Sequence, residues 1–240
     1  MPGKAKADVP SQLAAVGRRM YARGWALGTS GNFSAVVSRT PLRLAITASS
    51  VQKRELGARH VLQCDEHGAV IGSKAGRPGF VRRASSGRRN LARRRPSAET
   101  LLHIEIARRR HAGAILHTHS VWTTVLSDLH AAEGGFAIEG YEMLKGLTGV
   151  TSHEHREWIP IIDNDQDMPR LARRVSETLD MVAGAHAFLL RRHGLYTWGD
   201  TLEQAERHIE ILEFLFEALG RTAALNSFTT KDTKDTKQIL

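Results

Sequence analysis

Apolar positions recur along the chain with two periods, and the periods predict interleaved helices and strands. Leu13, Val16, Met20 and Tyr21 fall on one helical face, with Ser11 placed to cap that helix. Two short apolar runs follow, Phe33–Val37 and Leu42–Thr47, which read as strands joined by the polar turn 38–41. Residues 61–65 and 69–72 read as a hairpin around Glu66-His67-Gly68. Pro96-Ser97 opens a helix to about His111, with Ser97 as its cap and Leu101, Leu102, Ile104 and Ile106 as apolar positions. Residues 112–119 read as a buried strand and 121–129 as a helix. Residues 141–147 form a short helix and 159–162 a short strand. A helix over 168–182 precedes strands over 187–191 and 195–198.

The last helix carries the clearest signal. Thr201-x-x-Gln204 forms a capping box, and Ala205, Ile209, Leu212, Leu215, Phe216 and Leu219 share one face. After Gly220 the sequence turns into a polar Thr/Lys/Asp repeat, expected to be disordered from 221 to 240. The first ten residues are expected to be flexible, and no solenoid repeat is evident. Strands alternating with helices predict a single α/β domain over 11–220, with helices covering a central sheet.

Composition narrows the class. The chain has 240 residues, 41% hydrophobic and 25% charged, which excludes wholesale disorder. No apolar run approaches the roughly 18 residues a membrane helix needs. The start, Met1 to Lys6, lacks the apolar stretch of a signal peptide, and Cys64 is the lone cysteine, which fits a reducing cytoplasm. The net charge of +9 is local. Between Ile71 and Pro96 lie Lys74, Arg77, Arg82, Arg83, Arg88, Arg89, Arg93, Arg94 and Arg95 and no acidic residue; without these nine the chain holds 25 basic and 25 acidic residues.

Candidate chemistry gathers on histidines and carboxylates. His117 and His119 end a predicted strand, where residues two apart point the same way, roughly 6–7 Å apart. They read either as a platform for zinc or as ordinary strand-end histidines. His193 follows a second buried strand and precedes Gly194, a place where sheets present functional groups. Three imidazoles with an open fourth position would suit a catalytic zinc. Glu139 and Glu142 flank Gly140-Tyr141 and fit either a site or a solvated helix start. Glu99 falls in the first turn of a predicted helix, where a carboxylate favours the helix dipole. The loops 29–32 and 47–50 offer hydroxyl and backbone donors for an anion.

Read together, the segments Gly28-Thr29-Ser30-Gly31-Asn32-Phe33-Ser34, Ile46-Thr47-Ala48-Ser49, Pro96-Ser97-Ala98-Glu99-Thr100, His117-Thr118-His119-Ser120, Glu142-Met143-Leu144-Lys145-Gly146 and Arg192-His193-Gly194-Leu195-Tyr196 resemble the class II aldolase/adducin family. The resemblance runs from about residue 12 to 220. It implies a three-layer α/β/α fold with a central, largely antiparallel sheet, and one zinc per subunit on His117, His119 and His193. It implies Glu142 as general acid/base, phosphate binding at Asn32, Ser49, Ser50 and Ser97, and a homotetramer. The Glu-Met-Leu-Lys-Gly segment points to the branch that dehydrates 5-methylthioribulose 1-phosphate to a 2,3-diketone in methionine salvage, and less to sugar-phosphate aldolases of the fuculose or rhamnulose type. Those aldolases use a carboxylate at the position of Glu99, so a secondary role for it stays open.

Two departures stand out. Ser50 replaces the family's usual glycine, and residues 73–95 replace a short connection. That stretch reads as a disordered insertion, as a reading-frame artefact or as an anion-binding arm. The arm would make the protein a nucleic-acid binder, although Phe80 is its lone aromatic and stacking readout is not expected. An adducin-like structural role would be expected to lose zinc ligands, and all three histidines are present.

Overall fold

The structure, a computed structural model, describes residues 8–71 and 94–235, with side chains to 226. Residues 72–93, and with them most of the arginine-rich stretch, lie outside the described residues, as do 1–7 and 236–240. Five helices and eight strands alternate in the described chain: α1 Val9–Ala22, β1 Asn32–Arg39, β2 Leu42–Thr47, β3 Val61–Cys64, α2 Thr100–Arg109, β4 Ala114–Thr118, α3 Val121–Leu129, β5 Gly135–Ile138, β6 Glu157–Ile162, α4 Met168–Met181, β7 Ala187–Leu190, β8 Gly194–Gly199 and α5 Leu202–Asp235.

The strands form one sheet in the order β3-β2-β1-β4-β8-β7-β6-β5, antiparallel throughout except for the β6–β7 pair. Successive strand residues point to opposite faces, and this alternation builds two cores. Leu116, Leu189 and Leu195 pack with α1, α3 and α5, whereas Ile115, Phe188, Leu190 and Tyr196 pack with α2 and α4. The result is the three-layer α/β/α arrangement expected from the sequence. By the same alternation, Thr118 faces α5 while His117 faces α2.

Several element boundaries differ from the sequence reading. Asp8, not Ser11, precedes the first helix, because Pro10 suits its first turn. The hairpin after β3 closes through a single bridge, Cys64 to Val70. Ser97 does not cap α2. Its hydroxyl accepts from the Glu99 N–H at 3.3 Å, its carbonyl accepts from the Thr100 hydroxyl at 2.7 Å, and the helix starts at Thr100. β5 has no counterpart in the sequence reading. It is four residues long, and Gly135 lies so close to the Trp158 ring and the Ile159 carbonyl that a side chain would clash. Gly220 does not end the last helix, which continues through Asp235 where the sequence predicts a disordered tail. Gly220 instead lets α5 approach Trp122 of α3, which a Cβ would meet at 2.2 Å.

Candidate active site

The site forms where β4, β8 and the start of α2 meet. β4 ends at Thr118, and the N–H of His119 donates to the Trp25 carbonyl at 2.7 Å, which holds the residue just beyond the strand. His193 lies in the tight turn between β7 and β8, opened by Arg192 at φ 53°. Gly194 must be glycine: its Cβ would fall 2.0 Å from the Thr118 carbonyl. Without that close approach, His193 would not reach β4.

The ring nitrogens of His117, His119 and His193 all lie within 4.8 Å of one another. His117 is fully buried, stacks on Tyr196 at 3.9 Å, and donates its Nδ1 proton to the Leu195 carbonyl at 2.9 Å. That bond fixes the tautomer and leaves the Nε2 lone pair facing the cluster. Burial pushes the His117 imidazole down to about 3 and lowers His119 strongly as well, so both rings are neutral at pH 7. Their Nε2 atoms stand only 2.7 Å apart. Neutral imidazoles converging their lone pairs in this way fit a shared cation. His193 adds the third nitrogen, with its Nδ1 3.4 Å from Asn164 Oδ1.

Glu99 completes the cluster. Its carboxylate lies 3.1 Å from His193 Nε2 and 3.7 Å from His117 Nε2, and it accepts the Asn32 amide at 2.5 Å. Burial alone would raise its pKa, but His117, His193 and the Asn32 amide together hold it well below the usual carboxylate range. Glu99 precedes α2 without capping it, so the helix-dipole reading of this residue gives way to a place in the site. Asn32 is held in turn by His103, whose other nitrogen bonds Ser34 at 2.7 Å.

Three of the four expected phosphate residues, Asn32, Ser49 and Ser97, line a cleft of about 120 Å³ together with Glu99, His119 and Lys53. Ser50 stands just outside this cleft with φ 58°, the left-handed region that favours glycine. Glu142 is placed apart from the imidazoles. Its exposed carboxylate meets Lys145 at 2.6 Å and His153 at 4.0 Å, and the hydrogen bond from Lys145 lowers its pKa. Glu139 is exposed as well.

Lys53 has no counterpart in the sequence reading. It is buried, it donates to the carbonyls of Thr29 at 2.9 Å and Val51 at 3.4 Å, and burial pushes it down to about 8 against the opposing pull of Glu99. A single lysine in a polar loop offers no pattern from which this could be read.

A three-layer α/β/α fold with three histidines at the ends of its strands, facing a carboxylate at a helix start, defines the class. The sequence model of the family described as Class II Aldolase and Adducin N-terminal domain matches residues 11–219, and the chain belongs to that family. Relatives name the branch. The chain is 42% identical over 217 residues to a methylthioribulose-1-phosphate dehydratase from Pseudomonas savastanoi pv. phaseolicola, covering 90% of this chain and 96% of the relative. It is 40% identical over 208 residues to the protein of the same name from Methylococcus capsulatus, covering 86% and 90%. Among solved structures, an L-fuculose 1-phosphate aldolase superposes with a TM-score of 0.69 at 20% identity, covering 94% of this chain and 91% of that one. The L-fuculose-1-phosphate aldolase of Thermus thermophilus gives 0.64 at 22% identity, covering 90% and 95%. These superpositions speak to the fold alone.

Proposed function

We propose that the chain is a zinc-dependent hydro-lyase that dehydrates 5-methylthioribulose 1-phosphate in methionine salvage. The observation that carries the reading is the convergence of three imidazoles on one point beside Glu99, in a chain about 40% identical to the named dehydratases over most of its length. His117, His119 and His193 would hold the metal, and zinc there would supply a Lewis acid for the substrate's carbonyl oxygen. The C3 proton of the substrate is acidic because C2 is a carbonyl. Glu142 takes that proton as general base and assists departure of the C4 hydroxyl as general acid. The resulting enol tautomerises to the 2,3-diketone. Asn32, Ser49, Ser50 and Ser97 bind the substrate, with Asn32 also orienting Glu99 through its amide.

The proposed assembly is a cytoplasmic homotetramer. Val121, Val125 and Leu129 form an exposed apolar stripe on α3, which starts directly after His119-Ser120, and Phe214 of α5 is exposed too. Covering that stripe would put a subunit contact beside the site. Among the described residues no helix is long and apolar enough to cross a membrane.

Glu142→Gln tests the reading: the variant keeps its zinc and loses most dehydration, and near-normal turnover would remove Glu142 from the chemistry. A second reading, aldol cleavage of a sugar phosphate, is favoured by one observation. Glu99 stands among the imidazoles while Glu142 does not.

A further inference from the structure

Tyr196 lies beside the histidine cluster, and its hydroxyl lacks a partner. The residue pairs with His117 of β4 on one side and with Phe188 of β7 on the other. Its fully buried ring is stacked between theirs, 3.9 Å from the His117 ring and 5.0 Å from the Phe188 ring, with the His103 ring edge-on at 5.8 Å. Packing from three sides fixes where the hydroxyl lies.

Among the described residues, two buried side-chain polar atoms make no hydrogen bond: the Tyr196 hydroxyl and Arg110 Nε. The Arg110 guanidinium is bonded through Nη2, to the Val182 carbonyl at 2.7 Å, so Tyr196 is the more exceptional of the two. A buried phenol usually finds an acceptor, and leaving it without one costs stability. Phenylalanine would fill the same stack without that cost, so the hydroxyl calls for a reason other than packing.

Glu99 is the charged group that faces it. Burial first, and the Glu99 charge next, hold the phenol well above its usual value, so it keeps its proton and stays a donor. Glu99 takes the Asn32 amide, the Ser97 hydroxyl at 3.4 Å and His193 Nε2 at 3.1 Å. The contact with His193 conflicts with ligation, because a ring nitrogen that gives its lone pair to a cation has no proton to donate. A buried carboxylate that loses a donor needs another.

We propose that Tyr196 is a positioning residue whose hydroxyl takes over Glu99 when His193 turns its Nε2 to a cation, and so keeps the carboxylate beside the three imidazoles. It acts through Glu99 and touches neither cation nor substrate. The proposal rests on the reading of His117, His119 and His193 as cation ligands, and not on which reaction follows.

The test is Tyr196→Phe, which keeps the stacked ring and removes the hydroxyl alone. Zinc affinity is measured by chelator competition at neutral pH, and urea midpoints are measured on protein stripped of metal. Zinc affinity is expected to fall about tenfold, the low end for a group that supports ligands from behind. The stripped variant is expected to unfold at no lower urea concentration than the parent, because an unbonded hydroxyl contributes nothing there. A tyrosine with a merely structural role would show the reverse. In a Glu99→Ala background the same substitution should change zinc affinity by less than about twofold. Unchanged zinc affinity in Tyr196→Phe overturns the proposal. So does an equal fall in the Glu99→Ala background, which assigns the effect to the His117 stack, and so does a lower urea midpoint, which shows the hydroxyl already bonded. A parent that binds no zinc removes the ligand reading and the proposal together, a result distinct from a parent and a variant that bind it equally.

Discussion

Glu99 Oε1 lies 3.1 Å from His193 Nε2, so the residue just before α2 reaches the turn between β7 and β8. Three strands of the sheet and one helix start are thereby locked around a single charged group, which the Asn32–His103–Ser34 chain orients from behind.

Removing that charge tests what it does. The Glu99 carboxylate faces the same Nε2 atoms that turn toward the cluster, so its negative charge adds to the attraction for a cation there, and losing a carboxylate that supports ligating imidazoles costs about 10- to 100-fold in metal affinity. Glu99→Gln is expected to show a loss of that size in zinc affinity, measured by chelator competition at neutral pH. Unchanged affinity would assign Glu99 to the substrate alone.

The buried acid Glu213 gives a pH prediction. Thr118 donates to it at 2.8 Å from between His117 and His119, and burial pushes its carboxyl up to about 7 from 4.5. Between these values the folded protein keeps a proton that the unfolded chain releases. Stability from this group is therefore full below pH 4.5 and is lost as pH rises through about 7. Glu213→Gln keeps the acceptor for Thr118 and removes the ionisation. The decline between about pH 5 and 8, followed by urea midpoints on metal-free protein, should shrink by roughly 2–3 kcal/mol. An undiminished decline would mean that Glu213 is not the group responsible.

Ser50 at φ 58° carries a left-handed strain of about 1–2 kcal/mol that glycine would relieve, partly offset by the greater freedom of glycine in the unfolded chain. Ser50→Gly should stabilise the protein by about 0.5–1 kcal/mol, and Ser50→Val should destabilise it by more than that. Equal unfolding midpoints for the three proteins would refute the strain.

Much of this was legible in the sequence because it depends on local rules. The two-residue spacing of His117 and His119 puts both rings on one face of β4, and the apolar periods mark every helix and seven of the eight strands. β5 escaped because four residues that begin with Gly135 and follow Gly134 carry no strand pattern, and its place is set by Trp158. The place of Glu99 was only half legible: a carboxylate before a helix has a sufficient local explanation, the resemblance left a secondary role open, and only the tertiary meeting of α2 with β4 and β8 brings it to the imidazoles. Lys53 was illegible for the same reason, since its partners are backbone carbonyls that any sequence supplies. The helix past Gly220 shows the reverse case, where packing of α5 on Trp122 overrides a local stop signal.

The most direct test of the central claim is product analysis with purified, zinc-analysed protein given methylthioribulose 1-phosphate, with fuculose 1-phosphate and ribulose phosphates run beside it. The expected result is about one zinc per chain and conversion of methylthioribulose 1-phosphate to the 2,3-diketone with no carbon–carbon cleavage. Release of a triose or glycolaldehyde phosphate without dehydration would contradict it and make the protein an aldolase.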